Sequence, residues 1–346
     1  MIKSQHITKY TLIFTIGSVF TFFGCSTGES KPSSSNYISP PEHFPEMVYD
    51  IDLREVTEER VNLGRALFYD KTLSSDSSIS CGSCHQIEYA MSDRHNRLSL
   101  GVNERIGTRN SPSIFNLAWQ NDFMWDGGVN HIEFIAVAPI ENPLEMDLSF
   151  VKAIGRLNQN PFYKTEFKKT FDVDQISDKE FLLAISQFMM TMVSADSKYD
   201  QVVQKKSQFT ETEHKGFQLY KQHCSDCHTE PLFFSNSFKN NGLDTSYIDL
   251  GRQRITSKPE DIGKFKVPSL RNLAYTFPYM HDGRFNTLDE VLNHYSEGII
   301  SKTTSSSADV TNMNLNDEDK SNIIAFLKTL NDKEFVNNKA LDDPYE

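Results

Sequence analysis

Apolar and polar positions change register several times along this chain of 346 residues. The first signal is a block rather than a stripe. After Lys3 and Lys9, a mostly apolar run extends from Tyr10 to Phe23 and ends on Gly24-Cys25. A basic start followed by an apolar core of that length has the form of a secretory signal over 1–24. It falls short of the about 20 residues that a membrane-spanning helix needs. The stretch that follows, "STGESKPSSSNYISPPEHFPE", is rich in Ser and Pro with little periodicity, and reads as a flexible tether over 25–50. Helical spacing begins in "VTEERVNLGRALFYD", where Leu63 and Leu67 are four apart and Val56 lies two turns earlier on the same face. "SDKEFLLAISQFMMTMVSADSKYDQVV" predicts one long amphipathic helix behind acidic capping residues, with Met189, Met190 and Met192 at core spacing. Thr210-x-x-Glu213 opens a further helix as a capping box, and Ile323, Ile324, Leu327 and Leu330 form an apolar stripe near the end. The expected fold is mainly α, in two domains over 51–205 and 206–346, with long Gly-, Asn- and Ser-containing loops.

Composition narrows the class. Hydrophobic residues make up 38% and charged residues 24%, which describes a folded globular chain rather than a disordered or membrane-embedded one. The formal charge is −12, and cleavage before Cys25 removes two lysines and no acid, leaving −14. Nucleic acid is therefore not an expected partner. The five cysteines are Cys25, Cys81, Cys84, Cys224 and Cys227. Four fall in two close pairs, so none is left for a structural disulfide. The odd one, Cys25, stands at a Gly-Cys junction that resembles a bacterial lipobox, in which the cysteine becomes the lipidated first residue. That expectation tethers the protein to a membrane in the periplasm or cell envelope.

The pairs carry the chemistry. "ISCGSCHQ" at 79–86 and "QHCSDCHT" at 222–229 each contain Cys-x-x-Cys-His. Two thiols at that spacing form thioethers to the two vinyl groups of a porphyrin, and the adjacent histidine reaches the iron from one face. Zinc sites and thioredoxin-like redox pairs also use Cys-x-x-Cys. The histidine directly after each pair, the export signal and the absence of a βαβ pattern favour two covalently attached haem c groups. His85 and His228 are then the proximal ligands. The opposite face of each iron decides what that iron can do. An open position admits peroxide, and two protein ligands favour electron transfer.

From "LGRALFYDKTLSSDSSISCGSCH" to "IIAFLKTL" the chain resembles the bacterial dihaem cytochrome c peroxidases, in particular their MauG-like branch. The motifs "RIGTRNSPSIFN", "FMWDGG", "PIENPLEM" and "FKVPSLRNLAYTFPYMHDGRFNTLDEVLNHY" carry the resemblance. It implies two cytochrome c-like domains, a peroxide-reactive haem at His85 and an electron-transfer haem at His228. Glu145 matches the family's distal carboxylate, with Pro139 six residues before it as in MauG-like proteins. Peroxidase members also place a distal histidine in the loop that here reads "LSLGVNERIGTRN"; Gly101 or Val102 stands there, and His95 is expected at the surface. Tyr295 occupies the place of the second haem's distal methionine, with Met280 as rival ligand. Trp125 matches the tryptophan between the haems, and Trp119 is the chain's other indole. Gln222 replaces a tryptophan that MauG uses on its protein substrate. The resemblance further implies Ca²⁺ held by Asn110, Thr276 and Pro278, and hydrogen peroxide as substrate. It also implies a small cytochrome c or cupredoxin as electron donor, and leaves room for a homodimer. The expected function is peroxide reduction, the alternatives being a MauG-like oxidase or a non-enzymatic electron carrier.

Overall fold

The computed structural model describes residues 38, 40–49, 56–303 and 306–345. The signal-like segment, Cys25 and the first part of the expected tether lie outside the described residues. The rest is mainly α, as its spacing predicts. The first half contains α1 (Glu58–Tyr69), α2 (Cys81–Cys84), α3 (Val137–Glu141), α4 (Phe150–Gln159), α5 (Pro161–Phe171), α6 (Asp178–Met190) and α7 (Lys198–Val203). The second contains α8 (Glu211–His223), α9 (Gln253–Thr256), α10 (Leu288–Asn293), α11 (Asp317–Lys328) and α12 (Lys333–Val336). A two-stranded antiparallel ribbon joins β1 (Phe238–Lys239) to β2 (Phe265–Lys266).

Two helix crossings organise the molecule, and they repeat one another. In the first half α1 packs on α6, and in the second α8 packs on α11. Each crossing turns on a glycine. A Cβ on Gly64 would lie 2.0 Å from Ala184 O, and one on Gly216 would lie 1.9 Å from Asn322 O. Four residues further along each helix an aromatic ring meets a phenylalanine of the partner. Phe68 meets Phe188 with ring centroids 5.3 Å apart, and Tyr220 meets Phe326 at 5.1 Å. The same glycine-plus-ring device thus sits behind both Cys-x-x-Cys-His motifs. Thr210 with Glu213 closes the capping box of α8, as the sequence predicts, and Thr57 receives Arg60 N–H at the start of α1.

Three expectations change. The long helix predicted across 178–203 is two helices, because tertiary acceptors take its backbone donors. Ser194 N donates to Asn116 Oδ1 at 2.9 Å and Asp196 N to Asp332 Oδ2 at 3.0 Å, after which Ser197 and Asp200 cap α7. The described end of the tether, 40–49, is packed rather than loose. Phe44 is buried, Trp119 Nε1 donates to Pro45 O at 2.8 Å, and His43 Nε2 meets Asp200 Oδ1 at 2.9 Å. The tail assigned to the second domain returns to the first. Tyr69 Oη donates to Leu341 O at 2.7 Å, and Arg65 Nε donates to Asp342 O at 2.6 Å.

The described residues consequently form one compact unit. One apolar cluster is confined to the first half and one runs from Tyr199 to Leu330. A third combines Phe68, Trp119, Met189, Met190 and Met192 with Leu232, Phe234 and Phe335. An ion pair buried on both sides braces it: Arg271 donates from Nη1 and Nη2 to the two Asp200 oxygens at 2.8 and 2.6 Å. Such a pair contributes little net energy when intact, yet removing one partner costs about 3–5 kcal/mol.

The glycine crossings generate a prediction. Alanine favours a helix interior over glycine by about 1 kcal/mol. Here the added methyl meets a carbonyl at bonding range, and overpacking of that kind costs about 1–3 kcal/mol or more. Gly216→Ala is expected to lower stability by about 2 kcal/mol net, read as a lower urea midpoint in far-ultraviolet circular dichroism. An unchanged midpoint would show that the two helices part freely.

Candidate functional site

Each Cys-x-x-Cys-His sits where a helix stops. The first is α2 itself, set at its N-terminus by a reciprocal Ser80–Ser83 box; the second follows directly from the last turn of α8. Both histidines then spend one ring nitrogen on the backbone. His85 Nδ1 donates to Met91 O at 2.9 Å. His228 Nδ1 donates to Pro268 O at 3.0 Å, with Phe233 O at 3.2 Å. A carbonyl only accepts, so Nδ1 carries the proton in each ring and Nε2 keeps its lone pair free to bind a metal. Burial also lowers both imidazole pKa values, that of His228 to about 4, so both rings are neutral near pH 7.

The thiols fit the same reading. All four are free of disulfides. Burial pushes Cys81 up to about 12, Cys84 to about 11 and Cys224 to about 12. A thioredoxin-like pair works through a depressed thiol pKa, the opposite direction. Zinc needs further ligands, and no group of three or more His, Cys, Asp or Glu among the described residues is arranged to hold a metal ion. Neutral thiols beside a histidine presenting Nε2 match thioether attachment of haem.

Glu145 reaches the first motif. Its carboxyl is close enough to raise the pKa of both Cys81 and Cys84. The turn after α3 holds it tightly. Asn142 Nδ2 donates to Glu145 Oε1 at 2.7 Å while Asn142 Oδ1 accepts Leu144 N at 3.0 Å. Pro139, inside α3, accepts Met146 N through its carbonyl at 3.1 Å. Burial raises the Glu145 pKa, partly opposed by the Asn142 hydrogen bond. Behind this turn Val102 N donates to Glu145 O at 2.9 Å, and a Cβ on Gly101 would lie 2.1 Å from Leu144 O. Gly101 therefore has no room for any side chain, and Val102 is fully buried and apolar. His95 is exposed, as its position suggests.

Tyr295 lies in a π-helical turn, His294–Gly298, that continues α10. Burial raises its pKa, a hydrogen bond with Asn241 opposes this, and both Cys224 and Cys227 act on it electrostatically. Met280 lies close by: Asn241 Nδ2 meets its sulfur at 3.5 Å. Both rival ligands thus share one region.

Trp125 links the two motifs through the backbone. Its Nε1 donates to Asn110 O at 2.8 Å, and next to Asn110 the Ser111 hydroxyl reaches Cys84 O at 3.2 Å. On the other side Trp125 O accepts Lys266 N at 2.8 Å, two residues before the Pro268 carbonyl that holds His228. A charge cluster locks this arrangement. Arg109 donates to fully buried Asp126 at 2.7 Å and to both Asp249 oxygens, while Arg254 donates to Asp126 at 2.7 Å. Asn110 Nδ2 donates to Arg97 O at 3.0 Å, which leaves Oδ1 as its free donor atom toward a cation. Arg97 O also faces Gly283, beside the ring of Pro278, so Asn110 and Pro278 converge on one loop junction.

Comparison with known proteins agrees with this geometry. Residues 58–208 match the family model for di-haem cytochrome c peroxidase. The methylamine utilization protein MauG of Methylorubrum extorquens is 32% identical over 321 residues, covering 90% of each chain. The chain belongs to the di-haem cytochrome c peroxidase and MauG family. The cytochrome c551 peroxidase of Nitrosomonas europaea is also 32% identical, over 80% of this chain and 82% of that one. Among solved structures, a MauG-like protein associated with microbial copper homeostasis superposes with a TM-score of 0.79 at 32% identity. That match covers 89% of this chain and 99% of the other. As a family member the protein is a di-haem oxidoreductase, an enzyme carrying two haem c groups, which sets aside the simple carrier.

Asn241 has no signature in the sequence, and although Arg109, Ser111 and Asp126 lie inside "RIGTRNSPSIFN" and "FMWDGG", neither motif shows which partners they meet. Nothing in the periodicity marks them, since each acts across more than fifteen residues or from a loop.

Proposed function

We propose that this protein is an exported peroxidase that reduces hydrogen peroxide with electrons from a small cytochrome c or cupredoxin. Two electrons and two protons convert one peroxide into two waters. Cys81, Cys84 and His85 would hold the haem that supplies an iron able to react with peroxide, and Cys224, Cys227 and His228 would hold the haem that supplies a one-electron store. What supports the division is the unequal surroundings of the two motifs, a half-buried carboxyl near the first and a half-buried phenol near the second.

Glu145 takes the proton from the bound peroxide oxygen and returns it to the departing oxygen. Asn142 fixes its orientation, and Pro139 supplies an apolar wall on the same turn that limits water. Trp125 offers an oxidisable indole between the two backbone networks. Tyr295, in preference to Met280, would hold the second iron through its oxygen, since an anionic oxygen donor stabilises higher oxidation states. Asn110 Oδ1 with the carbonyls of Thr276 and Pro278 would hold Ca²⁺, which favours such hard donors. The filled space at Gly101 favours one further reading, MauG-like oxidation of another molecule; Gln222, an exposed amide in place of an oxidisable indole, argues against MauG's own reaction. Among the described residues no helix is long and apolar enough to cross a membrane, and a lipid on Cys25 would provide the attachment instead.

Three outcomes follow from these roles. Glu145→Gln is expected to slow peroxide consumption by about 10²- to 10⁴-fold, the usual worth of a positioned proton shuttle. The base form is the active one and burial raises its pKa, so wild-type kcat/KM falls as pH drops through a value above the ordinary 4.5, and the variant loses that limb. In Tyr295→Met, redox titration is expected to show a higher potential at the second haem; an unchanged potential removes Tyr295 from coordination. Cys25→Ala is expected to move the protein from the membrane to the soluble periplasmic fraction, and continued membrane association would count against lipidation.

A further inference from the structure

The two candidate distal ligands of the second haem, Tyr295 and Met280, both lie against one residue, Asn241. Asn241 follows β1 in a segment with little freedom. Its neighbour Asn240 is buried, donating from Nδ2 to Tyr247 Oη at 2.7 Å and receiving Gly242 N at its Oδ1 at 2.9 Å. Gly242 has a φ of +69°, and a Cβ there would meet Ile299 at 2.7 Å. From this fixed backbone Asn241 makes three contacts. Its carbonyl accepts His294 Nε2 at 2.9 Å, which anchors the residue next to Tyr295. Its carboxamide lies close enough to the Tyr295 hydroxyl to lower that group's pKa. The same carboxamide donates from Nδ2 to Met280 Sδ at 3.5 Å. Met280 is itself held in place, at a φ of +77° in a tight hairpin where Tyr279 N donates to Phe285 O at 2.7 Å.

A carboxamide nitrogen has two hydrogens, and two acceptors surround it. We propose that Asn241 is a positioning residue that selects the second haem's distal ligand, giving one N–H to the Tyr295 oxygen and the other to the Met280 sulfur. The inference rests on Tyr295 being that ligand. A donor to a phenolate oxygen draws off negative charge and holds the oxygen in line. A donor to the thioether occupies the sulfur's lone pair, the atom that would otherwise bind iron. One amide therefore moderates the preferred ligand and restrains its rival. The sequence shows only "KNNGLD", with nothing to separate Asn241 from Asn240.

The test uses the full-length holoprotein with both haems loaded. Asn241→Leu keeps the side-chain shape and the backbone carbonyl that anchors His294, but removes both donors. The readouts are the phenolate-to-iron charge-transfer absorption with its resonance Raman modes, and a redox titration of the second haem. In Asn241→Leu, Met280 is released: part of the phenolate signal is lost, and at a fixed potential the reduced-to-oxidised ratio rises. In the double variant Asn241→Leu with Met280→Leu, no sulfur can compete. The phenolate signal returns at lower energy and the ratio falls about tenfold below wild type, the size expected for one charge-assisted hydrogen bond. Displacements of opposite sign are not produced by a merely structural defect. Identical displacements in the two variants, or none in either, overturn the inference. If Asn241→Leu fails to load haem, Asn241→Ser, whose single short hydroxyl cannot serve both acceptors, is expected to shift in the same direction, and no shift overturns the proposal. Wild-type protein without any phenolate signal would remove Tyr295 as ligand first, a failure recognisable before any variant is made.

Discussion

Each haem-motif histidine is defined by the proton that it gives to the backbone. His85 yields its Nδ1–H to Met91 O and His228 yields its own to Pro268 O. The tautomer, the ring plane and the direction of the free Nε2 all follow, and a buried neutral imidazole is what an iron centre requires. The two acceptors come from unlike places. Met91 lies six residues after its histidine, and Pro268 lies forty residues on, in the segment beyond β2. Two motifs that look alike in sequence are thus set by different parts of the fold.

From that shared base the two centres diverge. A rigid turn after α3 brings a half-buried carboxyl near the first, and fills the Gly101 position so closely that no side chain fits there. A π-helical turn after α10 brings a phenol to the second, with a carboxamide behind it. Burial raises the pKa of both acids, with opposite consequences. A carboxyl so raised exchanges protons more readily near neutral pH, whereas a buried phenol gives up its proton only to a strong partner such as a metal. The pair suits one centre that manages protons and another that manages charge.

Communication between the centres depends on packing rather than on a linker. The Arg109–Asp126 pair places the Asn110 and Trp125 backbones side by side, and the indole N–H closes the gap at 2.8 Å. The buried Arg271–Asp200 pair joins α7 to the loop that follows Pro268, and His43 adds the N-terminal strap to the same carboxylate. With the returning C-terminal tail, these contacts merge two helix-pair units into one body.

Local patterns determined the elements that depend on neighbours in the chain. The helix start at Thr210, the helical spacing of Leu63 and Leu67, the apolar stripe of α11, the core placement of Met189, Met190 and Met192, and both Cys-x-x-Cys-His motifs were legible because each spans only a few turns. The resemblance, and not the periodicity, supplied Glu145, Trp125 and Tyr295 as candidates. The break after Met190, the packing of residues 40–49, the return of the tail, the histidine acceptors and the role available to Asn241 were not legible. Each depends on a backbone or side-chain partner remote in sequence, and a hydrogen-bond acceptor such as Pro268 O or Asp332 Oδ2 leaves no mark in composition or periodicity. The chain alone determined which groups were available for chemistry; tertiary packing decided which atoms of those groups point at one another, because only close approach across the fold selects a tautomer, a rotamer or a ligand.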